Sequence, residues 1–325
     1  MKDEADASPT CDKMPDVLGA NIIPHKNSAL LTADVPAIQA ASIYEISDGE
    51  LVGVIGIDVK RKTMESSQPD PETIFLDEIE TTIAQVAELE SAGVNKIVLL
   101  THIGYDNDQN WIASIPGVDV VVGGDSHSLL GNNETAVISS TRGSYATVIE
   151  RSDGKKVCVV QAWDYSKMIG NLDVDFDENG NVISCSGHPV FPLNPEKVTV
   201  RDASPRFDMS VEDAAIVMEA LNEATKGQAK AYEEDASTAN DLDVFSADVE
   251  VLTKAVVATS SETISLEAGG FESGACDLVA QGFLLNPLSS ADVAIQNRGG
   301  CRASIEEVRK CYLKYIVRMK NKCRK

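Results

Sequence analysis

The chain has 325 residues, enough for two domains, and its 43% hydrophobic and 24% charged residues are those of a globular protein. Its formal net charge of −23 argues against a nucleic-acid backbone as partner, because phosphates would be repelled. A small phosphorylated ligand stays open, since bound metal ions can dominate the local field.

No apolar stretch is long enough to span a bilayer. The acidic start MKDEADASPTCDKMPD reads as neither a signal nor a transit peptide and, taken literally, implies the cytoplasm. Seven scattered cysteines include no C-x-x-C pair, which argues against a cysteine zinc site and leaves the redox compartment open.

In chain order, Val17–Ile23 reads as a strand ended by Pro24. Ser42–Ser47 and Leu51–Asp58 read as a hairpin across Asp48-Gly49-Glu50, and the wholly apolar Val52–Ile57 as an inner strand. Glu72–Ala92 has Ile79, Ile83, Val86 and Leu89 at helical spacing, with Gly93 as C-cap. Lys96–Thr101 is a β-branched apolar run, Asp106–Ile115 a short helix broken by Pro116-Gly117, and Asp119–Val122 a second buried strand. This βαβ-like unit predicts parallel neighbours. His102 then follows the first strand, and Asp125 and His127 follow the second. All three fall at one carboxyl edge, where open α/β sheets bind ligands. Two imidazoles and a carboxylate there make a partial site for Zn²⁺ or Mn²⁺.

Further strands are expected at Ala136–Ser139, Ala146–Glu150 and Val157–Ala162, the last two joined through Ser152-Asp153-Gly154. Asp175–Gly180 resembles a calcium loop, but Ser186 stands where the bidentate Glu is needed, so a hairpin turning at Asn179-Gly180 is expected instead. His25 and His188 have no partner in view. A helix starts at Ser210, with Asp213 completing a capping box, and has an apolar face of Val217, Met218, Leu221 and Ala224. Glu233–Asp243 is acidic and expected to be exposed. Ile305, Val308, Tyr312, Tyr315, Ile316 and Met319 space as a basic amphipathic helix.

Thr101-His102-Ile103-Gly104 followed by Pro116–His127 resembles the T-H-x-G and P-G-(I/V)-D-x-(I/V)-(I/V)-G-G-(H/D)-S-H motifs of the 5′-nucleotidase family, whose catalytic domain is a calcineurin-like metallophosphoesterase. Val160-Gln161-Ala162 and the strand ending Gly170-Asn171-Leu172 are also similar to that family. So is Ala291–Ile305, with Asn297 and Arg302 at the nucleotide-contacting positions of A-D-(V/I)-A-x-x-N-x-G-G-x-R. Glu272–Ala280 is a looser match, with Gly274 in place of the usual Asn and Gly269 in place of a substrate-binding Arg.

The resemblance implies an α/β chain. Residues 1–195 would be the second half of a metallophosphoesterase β-sandwich flanked by helices, and 196–241 a helical linker. Residues 242–305 would begin a smaller α/β substrate-binding domain, with 306–325 a divergent basic tail. It implies a divalent metal pair (Zn, Mn or Mg) held in part by His102, Asp125 and His127. Where many relatives have His, Asp125 is a harder ligand and shifts the expected metal toward Mn²⁺ or Mg²⁺. Asn297 and Arg302 would bind a small-molecule nucleotide. The implied activity is metal-dependent hydrolysis of nucleotide phosphate esters, in a parent protein that is secreted, periplasmic or on the cell surface.

The family's D-x-H, G-D and G-N-H-E motifs have no counterpart ahead of Val17, and its G-x-(I/V)-T and P-F-x-N segments none after Ile305, so the chain reads as truncated at both ends, and no catalytic residue is assigned. The alternative is a non-catalytic remnant that binds nucleotide or a protein partner.

Overall fold

The computed structural model describes residues 15–26, 28, 38–67, 69–196, 198–200, 207–254, 256–258, 260–265, 274–286, 292–296 and 311–312. The chain divides into two units, Met1–Glu233 and Glu234–Lys325.

The first unit runs β1 (Ile22–Ile23), β2 (Ala41–Glu45), β3 (Leu51–Ile57), α1 (Lys60–Ser66), β4 (Ile74–Phe75), α2 (Glu78–Ser91), β5 (Ile97–Thr101), α3 (Tyr105–Asn110) and β6 (Val120–Gly123). It continues with β7 (Thr147–Glu150), β8 (Lys156–Gln161), β9 (Ile169–Phe176), β10 (Val182–Leu193), β11 (Thr199–Val200), β12 (Phe207–Asp208), α4 (Val211–Ala224) and β13 (Ala229–Ala231).

Six strands form one sheet in the order β2-β3-β5-β6-β8-β7. The four inner strands are parallel, and antiparallel β2 and β7 close the edges. The expected parallel pairing of β5 and β6 is therefore present, with Val98 opposite Val120 and Leu100 opposite Val122.

Side chains alternate across this sheet, as the two-residue period of a strand requires. Ile97 and Leu99, Val121, and Val157 and Val159 enter one core with Val86 and Leu89 of α2 and with Ile112, Ile115 and Val118. Each such fully buried aliphatic side chain contributes about 2 kcal/mol by leaving water. Val98, Val120 and Cys158 point the other way, against Leu172, Val174, Phe176 and Val182 of the β9–β10 hairpin. That hairpin and β13 form a second, three-stranded sheet in the order β13-β10-β9. The two sheets thus make the expected sandwich, joined covalently by the Cys158–Cys185 disulfide.

Several expected boundaries move. Val17–Ile23 is interrupted by a turn at Ala20-Asn21, so only Ile22–Ile23 forms a strand, paired with Ile74–Phe75, while Leu18 bridges Gln39. Helix α2 begins at Glu78 rather than Glu72, because Asp77 caps it by accepting from the Ile79 and Glu80 N–H groups. Residues Ile74 and Phe75 are thereby freed for β4. On α2, Val86 and Leu89 are buried as expected, whereas Ile79 and Ile83 are exposed. Ala136–Ser139 is not a strand, since Thr135–Val137 is a turn of 3₁₀ helix. Gly93 follows α2 at φ +88°, the left-handed conformation expected after a helix.

Ser210 caps α4 by accepting from the Asp213 N–H, and its hydroxyl donates to the Asp213 carboxylate, which supplies the N-cap half of the expected capping box. The segment 196–241, read as a helical linker, also contributes strand β13, parallel to β10. Leu221 of α4 packs on a cluster of Leu129, Met168, Phe191 and Ala229.

In the second unit, α5 (Ala236–Lys254) is followed by β14 (Val256–Ala258), α6 (Gly274–Leu284) and β15 (Cys311–Tyr312), with β14 and β15 antiparallel. Cys311–Tyr312 is therefore strand, not part of the amphipathic helix that its spacing suggests. No helix among the described residues is long and apolar enough to cross a membrane.

Candidate functional site

Strands β5 and β6 end side by side, at Thr101 and Gly123, and the residues that follow them share one edge of the sheet. His102 continues the pairing through its N–H to the Ile57 carbonyl, so its position is fixed by β3 as well. Its imidazole lies over Gly124, where a Cβ would sit 2.8 Å from His102 Nδ1. Glycine at 124 is what lets the ring settle there.

His102 Nε2 stands 3.7 Å from Asp125 Oδ1. Two donors at that separation fit one divalent cation, whose bonds to imidazole nitrogen and carboxylate oxygen are about 2.0–2.2 Å. The His102 side chain is 61% exposed and that of Asp125 17%, so the pair faces solvent from a half-buried base. His127 does not join them within 4.8 Å, and its ring packs edge-on against Tyr165 with centroids 5.3 Å apart. The structure thus brings His102 and Asp125 together and holds His127 apart from them. Asn297 and Arg302 lie outside the described residues.

The Gly124–Ser128 loop carries backbone strain at both candidate ligands, with Asp125 at φ +68° and His127 at φ +52°. Non-glycine residues in that region each cost about 1–3 kcal/mol and persist only where the surroundings over-determine them. Here the determinant is Gln161, only 2% exposed, at the end of β8. Its Nε2 donates to the Gly124 carbonyl at 2.8 Å. Its Oε1 accepts from Ser126 Oγ at 3.1 Å and from the Ser128 N–H. Ser126 Oγ in turn accepts from the Tyr105 N–H at 3.0 Å, tying the loop to the start of α3.

Beneath the loop, Asp108 of α3 is fully buried. Thr101 Oγ1 donates to its Oδ1 at 2.6 Å, while its Oδ2 has no protein partner. A Cβ at Gly123 would meet that oxygen at 2.2 Å, so the carboxyl fills the space under the end of β6. Burial pushes the Asp108 carboxyl up from 3.8 to about 7, opposed by the Thr101 hydrogen bond.

Lys62 of α1 also reaches this edge, with its ammonium paired to Asp125 Oδ1. Neither Lys62 nor Asp108 carries a local sequence signal, since each acts across the fold. Gln161 does have one, within Val160-Gln161-Ala162, but its hydrogen bonds span more than thirty residues.

No family model matches the chain. It is 38% identical over 199 residues to a probable 5′-nucleotidase of Treponema pallidum, covering 61% of this chain and 32% of that protein. To the NAD 5′-nucleotidase of Haemophilus influenzae it is 29% identical over 306 residues, 90% of this chain and 49% of that one. The matched regions span between 30% and 49% of the length of the first curated relatives.

The Haemophilus influenzae NAD nucleotidase structure superposes with a TM-score of 0.64 at 28% identity, covering 75% of this chain and 47% of that one. The 5′-nucleotidase precursor of Thermus thermophilus superposes with a TM-score of 0.62 at 28% identity, covering 94% and 52%. By sequence and by fold, the chain is homologous to the 5′-nucleotidases.

Proposed function

We propose that the chain is part of a metal-dependent phosphoesterase that hydrolyses nucleotide phosphate esters to nucleoside and phosphate. The observation that carries this reading is the meeting of His102 and Asp125 at the carboxyl edge of the parallel strands, in a chain homologous to 5′-nucleotidases. His102 and Asp125 would hold a divalent cation, with His127 joining once its ring leaves Tyr165. A bound cation of the Zn²⁺, Mn²⁺ or Mg²⁺ class supplies Lewis-acid polarisation of a phosphoryl oxygen and an acidified water.

The chain's own contributions are positional. Gln161 holds the ligand loop, Gly124 admits the His102 ring, and Lys62 offers an ammonium that can pair with Asp125 or with a phosphoryl oxygen. Asn297 and Arg302 would contact the nucleotide, a role that rests on the motif resemblance of Ala291–Ile305.

An extracytoplasmic location follows from the same reading. It is supported by the Cys158–Cys185 disulfide, since such bonds persist in oxidising compartments, and by the snake venom 5′-nucleotidases among the relatives.

The test is phosphate release from AMP with Mn²⁺ present. In the complete protein, His102→Ala should abolish it, and near-normal turnover in that variant would overturn the assignment. A second reading, nucleotide binding without turnover, is favoured by one observation. His127 faces Tyr165 while Lys62 already neutralises Asp125. AMP binding without phosphate release would select it.

A further inference from the structure

A second group of ligand-type side chains lies away from the His102 edge, where residues far apart in the sequence converge. One donor atom each from His25, Asp70 and Glu72 lies within 4.8 Å of the other two. Among the described residues this is the one group of three His, Cys, Asp or Glu donors so disposed. His25 Nε2 is 2.8 Å from Glu72 Oε2, and His25 Nδ1 is 3.9 Å from Asp70 Oδ2.

The fold sets this convergence. Ile22↔Phe75 and Ile23↔Ile74 pair antiparallel, so the chain leaving β1 and the chain entering β4 must run alongside each other. His25 lies two residues past β1, and Glu72 two residues before β4. The His25 N–H also donates to Thr73 Oγ1 at 3.3 Å, a cross-link independent of the ligand side chains. The His25 imidazole is held at 16% exposure, while both carboxylates reach solvent. A cation therefore has an open approach and a largely fixed nitrogen.

The geometry points to a divalent-cation site formed by His25, Asp70 and Glu72, with zinc the best-matched ion. One imidazole and two carboxylates, completed by water, are a normal four-coordinate zinc donor set. Bonds of about 2.0–2.1 Å place tetrahedral ligand atoms about 3.4 Å apart. Zinc takes one ring nitrogen, so with Nε2 as ligand the Nε2–Oε2 gap of 2.8 Å must open and the Asp70 carboxylate, 3.9 Å from Nδ1, must swing toward Nε2, movements that the exposed carboxylate side chains permit. Asp70 Oδ2 is free for the ion, because the Glu72 N–H uses Oδ1. Zinc there would clamp the segment after β1 to the loop between α1 and α2, a structural role separate from the His102 edge.

Zinc titration of the full chain by calorimetry, with the thermal midpoint followed in parallel, tests this. Four proteins are compared: the unmodified chain, His25→Ala, the double variant Asp70→Asn/Glu72→Gln, and His102→Ala. The expected result is one zinc equivalent, and its thermal stabilisation, lost in both the His25 and the Asp70/Glu72 variants and kept in His102→Ala. The double variant changes only exposed side chains, so it decides the matter even where His25→Ala fails to fold. Unchanged zinc stoichiometry in the double variant overturns the assignment. So does an unmodified chain that binds no zinc here, or loss of the same equivalent in His102→Ala.

Discussion

Two glycine-containing turns, Gly123–Ser128 after β6 and Asp177–Gly180 between β9 and β10, are alike in composition and differ in what holds them. The hairpin turn satisfies itself. Asp177 Oδ1 accepts from the Asn179 and Asn181 N–H groups, Asp177 Oδ2 accepts from Asn181 Nδ2, and glycine takes the left-handed position at Gly180. Those bonds hold the Asp177 carboxyl below its ordinary value, led by the Asn181 side chain. The loop after β6 instead places Asp125 and His127, not glycines, in left-handed conformations, and is held by a buried glutamine on another strand. A turn built only to reverse the chain needs no such support. Strain fixed from a distance is what a loop presenting ligands requires.

The comparison breaks most sharply at Gln161. Gln161→Ala leaves the Ser128 N–H and the Gly124 carbonyl without their partner and should cost about 3 kcal/mol. It should also lower divalent-metal affinity about 10–100-fold, the usual effect of removing support behind ligands. Chemical denaturation and calorimetry with Mn²⁺ read the two effects, and unchanged affinity would separate the loop from metal binding.

Comparable in stability, but without the effect on metal affinity, is the disulfide that ties the hairpin sheet to the main sheet. Its ends are 27 residues apart in sequence. Cys158→Ala/Cys185→Ala should lose about 3–4 kcal/mol of stability in denaturant unfolding. Metal affinity at His102 should hold, because that edge is braced by Gln161.

Asp108 gives a pH-dependent test. Its folded value, about 7, lies above the ordinary 3.8, so its stabilising contribution is complete below 3.8 and is lost as pH rises through 7. At about 1.4 kcal/mol per pH unit, the unmodified chain should lose roughly 2–3 kcal/mol between pH 5 and pH 8 through this group. Asp108→Asn, which keeps an acceptor for Thr101, should flatten that slope. An equal slope in both proteins would show that Asp108 does not titrate under the loop.

The smallest effect belongs to Asp177→Ala, which should lower the thermal midpoint slightly and leave metal affinity unchanged. A change in affinity there would erase the distinction between the two turns.

Much of the sheet was legible in the sequence. β-Branched runs at Lys96–Thr101 and Asp119–Val122, joined by a short helix, dictate parallel neighbours, and that pairing puts His102 and Asp125 at one edge. The Asp175–Gly180 hairpin and the Ser210 cap follow from turn and capping chemistry that acts within a few residues.

What escaped depends on distant partners. The start of α2 is the exception, since the Asp77 cap bonds only to the Ile79 and Glu80 N–H groups and was locally legible; what periodicity could not show is the pairing of Ile74–Phe75 with β1. His25 looked solitary because its carboxylate neighbours lie more than forty residues away. Gln161 stood in a quoted motif, yet its role needs β8 to lie beside β6. The turn of His127 toward Tyr165 also depends on a loop far along the chain.

The most direct measurement of the central claim is a crystal structure of the full chain soaked in Mn²⁺, read by anomalous scattering. A manganese peak is expected within bonding distance of His102 and Asp125, with Lys62 displaced from the Asp125 carboxylate. A well-occupied soak with no peak at that edge, and the Lys62–Asp125 pair intact, would contradict it.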